Sequence, residues 1–207
     1  MLLNRAILTS LFLLAFGTTF MRVEAMLSPR SLEIQKHYET AFGSTATAIK
    51  FDKGPVHQLP NDFCVFEVPP GSKSKVWIYA TCGMSFGDSK PIEVFLISPK
   101  KAPELVELFY AIAHFHLTGE HLDSGHTVNF GRPWLPGSRC DYGILSTMEG
   151  AKVQWANIEK KKVHFLWLIP ITKAEREYKI KFGVDALDKK FVEKDVDCED
   201  PLRQSAI

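Results

Sequence analysis

Two groups of residues have the types and spacing for chemistry. Gly83-Met84-Ser85-Phe86-Gly87 fits G-x-S-x-G, the pattern that exposes a serine nucleophile on a sharp strand-to-helix turn. His114, His116, His121 and His126 fall within thirteen residues, with Glu120 and Asp123 among them. Imidazole and carboxylate are good zinc ligands. The first group would make a serine hydrolase, the second a metal-binding or metal-sensing protein.

Both readings depend on the elements that position these side chains. Val76-Trp77-Ile78-Tyr79-Ala80 is apolar and β-prone, so a strand feeds Ser85. No helix is expected after it. Gly87-Asp88-Ser89-Lys90-Pro91 is turn chemistry, and residues 92–97 read as another strand. Ser85 is therefore expected in a turn between strands and not as a nucleophile. A helix opening at Pro103 carries Leu105, Leu108, Phe109 and Ile112 as its apolar stripe. It places His116 on that stripe and His114 on the opposite side, so those two cannot share one ion. His121 and His126 could still meet in the loop beyond Gly119. Ser85, His126 and Asp123 supply the members of a Ser-His-Asp set, but nothing in the chain orders them into a triad. No metal and no cofactor is expected.

The remaining pattern supplies the frame. A helix is predicted over 31–42, ended by Gly43, and strands over 63–68, 75–82, 126–130, 143–148, 153–156 and 163–169. Residues 63–68 are apolar on both faces, as in a strand covered on both sides. Thr172-Lys173-Ala174-Glu175 has the form of a capping box and opens a helix that Gly183 stops; a second short helix follows over 184–192. Strands come mostly in runs, with helices between and after them. That is an α+β arrangement: a mixed or antiparallel sheet with helices packed against it.

The chain has 207 residues, 45% hydrophobic and 24% charged, enough for one well-filled core. Its net charge of +1 and interspersed signs argue against nucleic acid as a partner. Residues 6–20 carry no charge and are too short for a comfortable membrane span, which suits the apolar region of a secretory signal. Residues 1–25 are read as a leader cut after Val23-Glu24-Ala25, giving an exported protein, periplasmic or secreted. The alternative is a start at Met26 and a cytoplasmic location. Residues 26–192 form the domain, and 193–207 an acidic, loose tail. Four cysteines allow three pairings, and Cys64 with Cys82 is the best candidate for a disulfide in an oxidising compartment.

Three blocks resemble the suppressor-of-fused-like domain family in its bacterial form. They are Thr81-Cys82-Gly83-Met84-Ser85, then Ser124-Gly125-His126-Thr127-Val128, then 163–172 with Pro170, followed by Glu175, Gly183, Leu187 and Phe191. Together they run in the family's order over roughly residues 31–192. The resemblance implies an α+β domain that binds other proteins, with Gly83, Met84, Ser85, Gly125, His126, Thr127 and Pro170 in structural roles. In animals the fuller protein holds a transcription factor in an inhibited state. Bacterial forms look like immunity proteins that neutralise a toxin. The animal protein has a further domain, so transcription-factor binding is not carried over. Bacterial members usually lack a leader, which sets this chain apart from a cytoplasmic immunity role.

The expected function is a non-catalytic protein-binding module, immunity-like, whose partner is another protein such as a toxin. Trp134 and Leu135, between Pro133 and Pro136, are its candidate surface anchors. The alternatives are a serine hydrolase using Ser85 and a metal-binding protein using the His121/His126 loop.

Overall fold

A computed structural model describes residues 21–22, 27–87 and 90–207. Apart from Met21–Arg22, the expected leader lies outside the described residues. The described chain divides into two compact units, one drawn from the described residues up to Ser124 and Ser146–Leu168, the other from Gly125–Leu145 and Ile169–Ile207.

In the larger unit, β1 (Met21–Arg22), β2 (Thr47–Lys50), β3 (Cys64–Val68), β4 (Trp77–Cys82) and β5 (Ile92–Ser98) are neighbours in chain order. All these pairings are antiparallel. β5 then pairs in parallel with the strand numbered β9 below, Lys161–Ile171, which makes the sheet mixed. Strands β3 and β5 are buried along their whole length. Alternation along them explains this. Cys64, Phe66, Val68, Ile78, Ala80, Cys82 and Phe95 face helix α1 (Pro29–Phe42) through Ile34, Tyr38 and Phe42. Tyr38 meets Phe165 edge-on at 5.2 Å, and Phe42 meets Phe95 at 5.6 Å. Helix α2 (Glu104–Thr118) packs against β3 and β4, with the Tyr110 ring edge-on to Phe63 at 4.8 Å. The both-face apolar pattern of 63–68 thus marks a layer between two helices.

Helix α1 begins where Ser28 accepts from the backbone of Ser31, and ends at Gly43 in the left-handed region at φ 72°. Residues 44–62, for which no element is predicted, contain β2 and a short 3₁₀ turn at Val56–Gln58.

In the smaller unit, β6 (Thr127–Asn129) and β7 (Tyr142–Ser146) form an antiparallel pair. Strand β8 (Trp155–Ile158) belongs to the larger unit, two residues later than expected. It pairs antiparallel with the start of β9. The capping box at Thr172 forms as predicted and opens α3 (Lys173–Phe182); α4 (Val184–Glu193) follows.

The expectation of a loose tail over 193–207 is corrected. Arg203 is buried and donates to both Glu175 oxygens, at 2.7 and 2.8 Å, and to the Pro170 carbonyl at 2.9 Å. Ala206 N donates to Glu175 Oε1 at 2.8 Å. The acidic composition that suggested solvation belongs to the residues before this anchor.

Candidate functional site

The turn that carries Ser85 is organised by a residue from the next strand. Glu93 lies in β5 and is fully buried. Burying a carboxylate is costly unless donors surround it, and here they do. Thr81 Oγ1 donates at 2.6 Å, Ser85 Oγ at 2.6 Å, and the backbone N–H groups of Gly83, Met84 and Ser85 at 3.0, 3.3 and 3.1 Å. Three successive N–H groups converging on one anion form a nest. Gly83 makes the bend possible. Its φ is +119°, and a Cβ there would come within 3.0 Å of Phe63 Cδ2.

Arg30, on the first turn of α1 and buried, closes the other side. Its Nη2 donates to Ser85 Oγ at 2.9 Å and to the Ser85 carbonyl at 3.1 Å. Its Nη1 donates to Glu159 Oε2 at 3.2 Å, and the guanidinium lies 4.8 Å from the centre of the Phe86 ring. The hydroxyl of Ser85 therefore gives its proton to Glu93 and accepts from Arg30, in a site 1% exposed. No helical residue occurs among those described between β4 and β5. The N–H groups that could serve an oxyanion hole are already filled by the protein's own carboxylate. This geometry is a structural knot, with no histidine among the hydrogen-bond partners of Ser85.

The other expected site residues are placed as follows. In the smaller unit Gly125 N donates to the Leu145 carbonyl and Leu145 N to the His126 carbonyl, while Thr127 pairs with Ile144. Pro170 offers its carbonyl to Arg203. These are backbone roles. Trp134 and Leu135, expected as exposed anchors, are 3% and 0% exposed, which removes them as a binding surface. The proline-stiffened loop turns inward because Trp134 N bonds the Cys140 carbonyl and Ser138 N the Leu135 carbonyl.

His116 is buried, accepts from Leu122 N at 2.9 Å through Nδ1, and meets the His121 ring edge-on at 5.3 Å. His114 Nε2 bonds the Gln58 side chain at 2.6 Å. Among the described residues no group of three His, Cys, Asp or Glu side chains is placed to hold a metal ion. Cys64 and Cys82 are thiols directly opposite each other on β3 and β4. The hydrogen bond to Cys64, together with burial, pushes the Cys82 thiol well above its ordinary value, so it is a poor nucleophile.

The sequence reading missed the surface formed by the β8–β9 hairpin. Trp155, 41% exposed, stacks on His164 at 3.9 Å, and Lys162 lies 4.1 Å from the centre of the indole. The turn is Glu159-Lys160, both in the left-handed region at φ 47° and 67°. Two such residues match a type I′ hairpin, normally built with Asn or Gly. Here the strain is held by contacts, since Glu159 is bonded by Arg30 and its N–H donates to Glu33 Oε2 at 2.9 Å. Beside the hairpin a groove of about 530 Å³ runs along α1, lined by Glu33, Lys36, His37 and Thr40 opposite Ala156–Lys160. The available signal was Trp155 in alternation with Asn157, exposed on the strand face away from buried Ile158.

Residues 58–204 match the family model described as suppressor of fused protein. The chain is similar in structure to a suppressor of fused homologue from Neisseria gonorrhoeae. The TM-score is 0.76 and the identity 28%, covering 86% of this chain and 97% of that one. It also resembles a chain of the Sufu–Fu complex, at TM-score 0.59 and 14% identity over 87% of this chain and 93% of that one. Drosophila Suppressor of Fused gives TM-score 0.59 and 15% identity over 86% of this chain, which spans 51% of that protein. The last two likenesses bear on the fold alone. No curated protein matches the chain.

Proposed function

The chain belongs to the suppressor of fused family, and from that premise we propose that it is a non-catalytic protein-binding module that neutralises a partner, such as a toxin, by covering its surface. One observation carries this reading. The G-x-S-x-G motif is closed internally around Glu93, whereas the β8–β9 hairpin leaves an aromatic with a cation on it in solvent. Exposed aromatics of this kind are enriched at interface hot spots. The Sufu–Fu complex, similar to this chain in fold, holds a member of the fold with a protein partner, which agrees with the reading.

The test has two arms. Purified full-length chain is treated with a serine-reactive phosphonate probe and is expected to stay unlabelled. Separately, proteins captured on it are titrated calorimetrically, with a stoichiometric complex expected and, for a toxin, rescue of growth on co-expression. Stoichiometric labelling lost in Ser85→Ala would replace this proposal with a hydrolase.

We also propose export, on the strength of the uncharged run at residues 6–20. The mass of the native protein is expected to begin at Met26 after processing of a longer precursor, and synthesis from Met26 with no precursor would reverse it. The same spectrum reads the Cys64–Cys82 pair, which is expected to lack two hydrogens in an oxidising compartment. Register partners on neighbouring antiparallel strands lie within disulfide reach.

A further inference from the structure

Resting on the protein-binding reading, we propose that the outer edge of β8 docks an extended acidic segment of the partner, which adds as a strand in the groove beside α1.

The hydrogen-bond register defines that edge. Phe165 N donates to the Gln154 carbonyl. With Trp155 opposite His164 and Asn157 opposite Lys162, alternation makes Ala156 and Ile158 the residues that exchange bonds with β9. The N–H and C=O groups of Trp155 and Asn157 then point the other way, and among the described residues β8 pairs with no strand but β9. An open row of backbone donors and acceptors is a template for another strand. The groove lies along this edge. His37, on its α1 wall, bonds the Val153 carbonyl at 2.9 Å, so the wall already reaches the edge at the end before β8. Four residues of β8 correspond to about 14 Å of extended chain.

Charge selects the occupant. Lys36 and Lys160 line the groove, with Lys161 and Lys162 exposed on the adjoining strand, against two carboxylates, Glu33 and Glu159. Glu159 is paired with Arg30, and Glu33 accepts the Glu159 N–H. Lys36, Lys160 and Lys161 are exposed and form no ion pair with any of the described residues. The surplus is positive, so the segment that fits carries aspartate or glutamate on alternate positions, with small or β-branched residues between.

The probe is a fluorescein-labelled ten-residue peptide alternating glutamate and valine, read by polarisation against the full chain. Binding is expected to weaken as salt rises. It is expected to fall about tenfold or more in Lys160→Glu/Lys161→Glu, from reversal of charge at a docking rim. It is also expected to be lost in Asn157→Pro, which removes an outward N–H without touching the β9 ladder. Two control peptides, one with lysine for glutamate and one N-methylated on alternate amides, are expected not to bind. Absence of probe binding, or binding unchanged in Asn157→Pro with its fold intact by circular dichroism, overturns the edge assignment. So does self-association of the chain abolished by Lys160→Glu/Lys161→Glu, which would make a second copy the occupant. A captured native partner that binds the Asn157→Pro variant with unchanged affinity also overturns the edge but leaves the binding module standing. Failure of the wild-type chain to hold any partner removes the module itself.

Discussion

Glu93→Ala is expected to cost about 4 kcal/mol or more, on the scale of removing one member of a buried, bonded charge cluster. Five donors lose their acceptor at once, and three of them are backbone N–H groups that cannot turn away. Thr81 is also the acceptor for Val94 N at 2.9 Å, so the loss spreads into the β4–β5 ladder. Arg30 would remain buried beside an unanchored Ser85. With total stability typically about 5–15 kcal/mol, the variant stands close to unfolding. Glu93→Gln keeps one acceptor oxygen but turns an NH₂ toward donors, and is expected to lie between wild type and Glu93→Ala. Urea unfolding followed by circular dichroism measures both. A loss below about 1 kcal/mol for Glu93→Ala would show that the carboxylate does not hold the turn.

Breaking the Glu175–Arg203 pair is expected to destabilise the smaller unit by about 3–5 kcal/mol, the range for a buried pair that loses one partner. Both side chains are almost fully buried and doubly bonded to each other. Arg203→Ala leaves the Glu175 carboxylate with only backbone donors. Replacing both, as Glu175→Gln with Arg203→Met, is expected to recover much of the loss, because no uncompensated charge remains. The pH dependence has a definite sign. Burial alone would raise the Glu175 carboxyl, but bonds from Arg203, Ala206 and Thr172 outweigh it and hold the group below its ordinary value. A depressed native carboxyl contributes stability above its unfolded value. That stability is lost as pH falls through the lower native value. Wild type should therefore show an acid-side decline below the ordinary carboxylate range, and Glu175→Gln should flatten it. Equal slopes in the two proteins would exclude Glu175 as its source.

The parts of the fold that were readable share one physical property: their cause is local. Thr172 and Glu175 are three residues apart, and their capping box can be read from the letters alone. Residues 63–68 announce a layer covered on both sides because apolar residues occupy both faces. Glu93 stands inside the strand expected over 92–97 and carries no predicted role. Its partners lie eight to twelve residues back, and Arg30 comes from another element. A lone acid inside Ile92-Glu93-Val94, following a threonine and a serine, was the available clue, since a buried carboxylate must find donors. Trp134 misled because prolines on both sides resemble an exposed loop, whereas its direction is set by the Cys140 carbonyl. The Glu159-Lys160 turn was invisible because neither residue favours a positive φ, and the contacts that hold it come from Arg30 and Glu33, more than a hundred residues earlier in the chain.

Glu175 also ties together the opening of two distant backbone segments. One of its oxygens takes the N–H of Thr172 at 2.7 Å and the other takes the N–H of Ala206 at 2.8 Å. The first turn of α3 and the terminal segment cannot fray separately, because the carboxylate that releases one amide loses its geometry on the other. In hydrogen–deuterium exchange these two amides belong to one cooperative opening event, with a common protection set by the Glu175–Arg203 pair and not by the helix around Thr172.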